Sequence, residues 1–271
     1  MIEKVIEIAR EAGELLKHYF EEGFEITDKE ACDWDPSGMD IVTTGDIEAE
    51  KLIVKRLNQE FPGDKILCEE ESSSTDNFDG RVWMIDPIDG TRSFAMKGRD
   101  WAVMIGLCID AVPVLGVIYL PMTDMIYYAE KGKGAFCVKD GKTERIKCTE
   151  IENFSEAKAA KPDPYVYPEW LEKMITSLNL KSYEIHGDGG IGWKGPLIAS
   201  GKIEMYFFTG GCKWDFCAPQ VIIEEAGGKL TYYDGRPVDY AQKSTSMKGP
   251  LFASNGKLHK KIIEWYKAAV D

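Results

Sequence analysis

Asp86 and Asp89 stand three residues apart in the stretch RVWMIDPIDGTRSF, at the end of an apolar run and on either side of Pro87 and Ile88. Two carboxylates in one turn repel each other unless something positive sits between them. Pro87 disfavours the α conformation at Asp86, so a strand is expected to persist to that residue and to project its carboxylate from the carboxyl edge of a sheet. Asp89 precedes Gly90-Thr91, a place suited to a turn and to the N-cap of a short helix ending near Gly98. Free N–H groups at such a helix start would suit a phosphate. Taken alone, the motif is equally well a strand end followed by a helix cap, with both acids solvated.

Two other acidic segments add weight. ILCEEES places Glu69, Glu70 and Glu71 directly after a short apolar run, and CKWDFCAPQVIIEEAGG places Asp215 at the start of a helical pattern. Each is ordinary by itself, because glutamate clusters usually form a solvated face and an aspartate at a helix start is usually a cap.

The elements that must carry these acids are legible as periodicities. Ile2, Val5, Ile6, Ala9, Ala12, Leu15, Leu16, Tyr19 and Phe20 recur at helical spacing. After the polar loop DWDPSGMD, a second helix is expected from Asp46 to Phe61, with Ile47, Leu52, Ile53 and Leu57 as its apolar face and Pro62-Gly63 as its stop. Strands are predicted at Lys65–Leu67, Val82–Ile85, Val103–Ile109, Val114–Tyr119 and Met125–Tyr128; their succession without helices suggests an antiparallel meander. The second half reads as helix (Pro168–Leu178), strands (Ser182–Ile185, Ile203–Phe207), helix (Asp215–Ala226), strand (Lys229–Tyr233) and a final helix (Leu258–Val270). There is no internal repeat or Pro/Ser-rich linker, so a division near residue 150 would separate two lobes, 1–150 and 151–271, without a tether.

Composition narrows the function classes. The 271 residues have 44% hydrophobic and 29% charged side chains and a net charge of -13. This acidity disfavours binding to a nucleic acid polymer, which needs clustered Lys and Arg. A small anion could bind only where cations reverse the field locally. WAVMIGLCI, the longest apolar stretch, is too short to span a bilayer. MIEKVIEIAR lacks the basic start and apolar run of a signal peptide, so export is not expected. Seven cysteines without a CxxC pair suggest reduced thiols in the cytoplasm.

Taken in order and at these separations, Glu69-Glu70 after a strand, WMIDPIDGTRSF and WDFCAPQVIIEEAGG resemble the three signatures of the inositol monophosphatase superfamily of metal-dependent, lithium-sensitive phosphatases. DIVTTGD at Asp40–Asp46 resembles the element that precedes them. The resemblance runs from the first helix to about Asn255, and a joint match of four segments is far more specific than any one. It implies an α/β (α+β) fold, a layered α/β/α/β/α sandwich of the inositol monophosphatase/fructose-1,6-bisphosphatase type. It implies Glu69, Asp86, Asp89 and Asp215 as side-chain metal ligands and the Ile88 carbonyl as a backbone ligand. Gly90 and Thr91 match phosphate-binding positions. The Thr91 hydroxyl, with Glu69 or Asp46, matches the group that orients the attacking water. Homodimers are usual among such relatives, although no stretch of this sequence specifies an interface.

Hard oxygen ligands without a histidine cluster favour Mg²⁺ over zinc; the chain has only His18, His186 and His259. Two or three Mg²⁺ ions would offset four carboxylates and attract a dianionic phosphate. One ion would acidify a water and another would stabilise the leaving oxygen in an in-line displacement with no covalent enzyme intermediate.

Relatives specialised for inositol carry an acid seven positions before the last metal aspartate, where this chain has Phe208. PVLGVIYLPMTDMIYYAEKGKGAF and DGRPVDY are somewhat closer to the branch that removes the 3′-phosphate of adenosine 3′,5′-bisphosphate, while GIGWKG replaces that branch's Ser-Leu-Lys. Lys194 could reach a second phosphate, or be a solvated lysine. Gly189 and Gly190 sit where relatives line the site with small residues, and Asp215 is counted with the substrate contacts. The leading expectation is an inositol- or sugar-type phosphomonoesterase, with the bisphosphate nucleotidase as alternative and a catalytically silent regulatory protein as a third reading. GDGGIG at Gly187–Gly192 fits a dinucleotide fingerprint by letters only, since its following helix is expected to be interrupted by Gly195-Pro196. Cys212 and Cys217 read as buried inert thiols, Trp214 as a core residue, and His186 as a satisfied structural histidine.

Overall fold

Helical and strand periods alternate along the chain, and a computed structural model describing residues 1–29, 40–70, 77–160, 169–183 and 189–270 resolves them into elements. The first half comprises α1 (Ile2–Glu22), the hairpin strands β1 (Ile26–Asp28) and β2 (Ile41–Thr43), α2 (Thr44–Glu60), β3 (Lys65–Cys68), β4 (Arg81–Asp89) and the short α3 (Thr91–Ala95). Strands β5 (Ala102–Ile109), β6 (Val112–Leu120), β7 (Met125–Glu130), β8 (Gly134–Lys139) and β9 (Lys142–Ile146) follow. Then come β10 (Lys158–Ala160), α4 (Glu169–Ser177), β11 (Lys181–Tyr183), α5 (Ile191–Ala199), β12 (Met205–Cys212), α6 (Lys213–Glu225), β13 (Lys229–Tyr232), β14 (Ser246–Ser254) and α7 (His259–Val270). Glu71, most of the DWDPSGMD loop, His186 and Gly187-Asp188 lie outside the described residues.

Strands β3 to β9 form a seven-stranded sheet in chain order, and the second sheet has the order β11-β10-β12-β14-β13. The meander holds from β4 onward, but β3 pairs with β4 in parallel. The layered α/β/α/β/α expectation is met. One apolar layer joins α1 and α2 to a face of the large sheet through Val5, Leu16, Ile53, Trp83 and Ile105. A second packs α5 and α6 between the two sheets, with Met84, Met104, Ile198, Ile222, Leu230 and Leu251. A third covers the outer face of the small sheet with α4 and α7 through Met174, Phe207, Phe252 and Ile262. Each fully buried large side chain contributes roughly 1.5–3 kcal/mol of transfer free energy.

The central helix sits unusually close to the sheet. Gly106 on β5 and Gly116 on β6 are register partners. A Cβ on Gly106 would meet Cys217 Sγ at 2.5 Å and the Ala218 nitrogen at 2.9 Å, and one on Gly116 would overlap the Ala218 backbone. The backbone of α6 therefore rests on the sheet itself, two to three residues beyond Asp215.

Several local expectations are corrected. The buried face of α2 is Ala49, Ile53 and Leu57 with Glu50, while Ile47 is exposed, and the helix starts two residues earlier than expected, with Thr43 as N-cap in a capping box with Asp46. Strand β4 continues through Asp89, and the N-cap of α3 is Gly90 in the left-handed conformation at φ 93°; Asp89 caps nothing there. Helix α5 runs through Gly195-Pro196 without interruption, since its almost complete burial compensates the bond Pro196 cannot donate. Trp214 packs at the margin of the core, partly exposed.

Candidate functional site

Parallel pairing brings the first two acids together. Cys68 is the register partner of Ile85, so the next residues, Glu69 and Asp86, leave the carboxyl edge of the large sheet side by side. A register irregularity between Asp86 and Asp89 turns the Pro87-Ile88 pair out of the ladder and lets Asp89 rejoin opposite Ala102. Asp215 arrives from the other direction, on the first turn of α6, where its Oδ2 accepts from the Cys212 N–H at 2.6 Å. The capping reading of Asp215 is thus correct, and its carboxylate also faces the cluster.

The electrostatics report the crowding. Burial holds the Asp86 carboxyl well above the usual carboxylate range, reinforced by Glu69, Asp89 and Asp215. Asp215 is raised likewise, by burial and then by Glu69 and Asp89, against the Cys212 N–H. Burial pushes Asp89 up to about 6, moderated by the Gly192 N–H and by Lys194. Four acids, from the end of β3, from β4 and from α6, therefore share one weakly solvated volume, in which the charged forms of Asp86, Asp89 and Asp215 are disfavoured.

A hydroxyl network adjoins them. Thr91 Oγ1 lies 3.2 Å from Asp46 Oδ1 and 3.0 Å from the Ile88 carbonyl oxygen. Asp46 is itself fixed by the Thr43 N–H and hydroxyl, at 2.7 and 2.5 Å, and burial pushes its carboxyl up to about 7. Gly90 backs directly onto the Asp100 carbonyl, and Gly189 onto Asp100.

The start of α5 closes the far side. Asp89 Oδ2 accepts the Gly192 N–H at 2.8 Å, and a Cβ on Gly190 would overlap the Asp89 carboxylate. This helix terminus is thus served by the protein's own acid, which removes the donors a dinucleotide would need and disposes of the GDGGIG fingerprint. Lys194 is not solvated. Its buried ammonium donates to Tyr206 Oη at 3.1 Å, lies over that ring and acts on Asp89. Phe208 is also buried, edge-on to Tyr206 and Phe216.

Sequence reasoning missed Lys29, Tyr206 and Glu50. Lys29 donates to Glu69 Oε1 and Glu70 Oε1, each at 2.7 Å, and lies 3.5 Å from Asp40. Burial would lower its pKa, yet Glu69, Glu70 and Asp40 together raise it above the ordinary lysine range. Glu50, fully buried, accepts the Glu70 N–H at 2.9 Å. A lysine beside a polar loop carries no sequence signal of its own, and neither does a tyrosine in an apolar strand.

Among the described residues no three His, Cys, Asp or Glu side chains stand close enough to hold an ion as they are. The donor set nevertheless fits a hard divalent cation. All its atoms are oxygens, and Asp86 Oδ1 is buried with no hydrogen-bond partner, a costly state that a cation would relieve. The six cysteines among the described residues are buried.

In overall form the chain superposes on the Thermotoga maritima IMPase TM1415 with a TM-score of 0.80 at 25% identity, over 98% of this chain and 96% of that one. It belongs to the inositol monophosphatase family, which it matches over residues 1–270. It is 30% identical to an inositol-1-monophosphatase of Bacillus subtilis over 95% of this chain and 92% of that protein. It is 31% identical to a 3′(2′),5′-bisphosphate nucleotidase CysQ of Aggregatibacter actinomycetemcomitans, over 93% and 91% respectively.

Proposed function

We propose that the protein is a Mg²⁺-dependent phosphomonoesterase acting on a small phosphate ester of the inositol or sugar phosphate type. The observation that carries this reading is the convergence of Glu69, Asp86, Asp89 and Asp215 beside the Thr91 hydroxyl and the Asp46 carboxylate it contacts. Glu69, Asp86, Asp89, Asp215 and the Ile88 carbonyl are the groups suited to hold two or three Mg²⁺ ions. Bound there, the ions would supply positive charge for a phosphate dianion and acidify water. Thr91 Oγ1 donates toward Asp46 and so keeps its lone pairs for a water hydrogen; it orients that water, with Asp46 and Glu69 as proton acceptors nearby. Gly90 and Thr91 offer backbone N–H groups to the phosphate, and Gly189 and Gly190, packed directly on Asp100 and Asp89, form the wall behind those acids. Residues 1–150 form a lobe carrying most of the acids, and residues 151–271 the lobe supplying Asp215 and Lys194. No helix among the described residues is long and apolar enough to cross a membrane. A cytoplasmic, lithium-sensitive homodimer is the form this reading expects.

One observation favours the bisphosphate nucleotidase as a second reading. The wall facing Asp89 holds a buried cation, Lys194, and the aromatic pair Tyr206 and Phe208 in place of an acid for ring hydroxyls. Phosphate release from inositol 1-phosphate, fructose 1,6-bisphosphate, histidinol phosphate and adenosine 3′,5′-bisphosphate decides between them. With the preferred ester, EDTA is expected to abolish turnover and Asp89→Asn to reduce it by about 10³-fold or more; metal-independent release, or an undiminished mutant rate, overturns the assignment.

A further inference from the structure

Lys29 has no part in the proposed reaction, yet it reaches the acidic centre from the hairpin side. Its ammonium contacts Glu69 and Glu70 at 2.7 Å each, with Asp40 at 3.5 Å, and its side chain is only 20% exposed. The ammonium therefore occupies an oxygen of Glu69, the cradle acid that directly follows β3. The other buried lysine nearby, Lys194, is directed to Tyr206 and Asp89 on the opposite wall. Glu70 gives Lys29 a second anchor, and that anchor is firm, because the Glu70 N–H is tied to Glu50 Oε2 at 2.9 Å.

Magnesium ligands lie at roughly 2.0–2.1 Å in a near-octahedral shell, which an ammonium on the same carboxylate oxygen obstructs. Two cations at such separation also repel strongly in a weakly solvated volume. We propose that Lys29 is the resident counter-ion of the metal cradle: it competes with divalent cations for Glu69, and loading requires it to withdraw onto Glu70 and Asp40. This rests on the reading of Glu69 as a metal ligand. Lys29 then stabilises the metal-free protein and sets how much Mg²⁺ is needed to fill the site.

Titration calorimetry with MgCl₂ on the EDTA-stripped full chain, without any phosphate ester and in about 0.15 M KCl to screen remote charges, tests this. Lys29→Met is expected to bind Mg²⁺ about tenfold or more tightly than the natural protein, and Lys29→Arg to stay within about threefold of it. In EDTA, Lys29→Met is expected to melt at a lower temperature than the natural protein, and to gain more from Mg²⁺. Lys29→Gln supplies the same comparison should the methionine variant fail to fold. Unchanged or weaker Mg²⁺ affinity in the neutral variants overturns the competition while leaving the metal site intact. Absence of Mg²⁺ uptake by every form, the natural one included, overturns the metal site and the competition with it.

Discussion

A single hydroxyl, Thr91 Oγ1, joins the Ile88 carbonyl to Asp46, and removing it separates chemistry from folding. Thr91→Val keeps the shape of the residue and deletes the group between 3.0 and 3.2 Å contacts. The expected outcome is a fall in kcat of about 10²-fold or more, with Mg²⁺ affinity nearly unchanged and stability lower by only about 1 kcal/mol. Steady-state kinetics beside a urea titration checks this; a variant of undiminished kcat removes Thr91 from the reaction. At this scale the four acids are singled out by the resemblance of their segments to the family signatures, and their places, Glu69 just after β3, Asp86 and Asp89 in the last part of β4 and Asp215 in the first turn of α6, bring them to one edge. Lys29 could not be, since its three partners come from positions 11 to 41 residues away and only the folded chain brings them together. Asp89 was read for the wrong terminus: its carboxylate serves the start of α5, more than a hundred residues on, and not the helix that follows it.

Helix α7 is docked through its first residue. His259 Nδ1 lies 2.8 Å from Ser254 Oγ on β14, and Nε2 lies 2.8 Å from Thr231 Oγ1 on β13. Burial, with Lys229 nearby, lowers its pKa to about 4. The folded state keeps this imidazole neutral while the unfolded chain protonates it near 6.5, so between pH 6.5 and 4 the unfolded chain holds more protons. The contribution is fully present above pH 6.5 and is lost as pH falls, up to about 3 kcal/mol. Asp46 and Asp89, raised to about 7 and about 6, act oppositely in metal-free protein, losing stability as pH rises through those values. The His259 share is therefore the difference between natural protein and His259→Gln in urea titrations from pH 7 to 4.5. That difference is expected to shrink toward low pH, and a constant difference rules the linkage out. Elements with clear periodicity, such as α1, β4 to β7 and α6, were legible. Strand β9 was not, because its sequence KTERI is almost wholly exposed at a sheet edge and shows no alternation. Strand β14 was hidden by Lys248-Gly249-Pro250, although it is central; the proline is accommodated where the register with β12 shifts between Phe208 and Gly210.

On the scale of the molecule, one apolar layer belongs to both sheets, since α5 and α6 bury residues against β4, β5 and β12 to β14 at once. Neither sheet keeps a complete core without the other. Heating the metal-free chain is thus expected to give one calorimetric transition, with matching calorimetric and van't Hoff enthalpies; two resolved transitions contradict a shared core. The layered architecture was legible from the order of periodic segments together with the family resemblance, whereas the closeness of the layers was not. That closeness is set at Gly106 and Gly116, where no side chain separates α6 from the strands beneath it. The span from Asp215 to the acids of β4 is consequently a matter of main-chain thickness, and repacking elsewhere has little leverage over it. Remodelling this scaffold toward a different ester should accordingly leave α6, its seat, the Cys212 end of β12 and the start of α5 alone, since these hold Asp215 and Asp89, and spend its variation on the body of β12 around Tyr206 and Phe208.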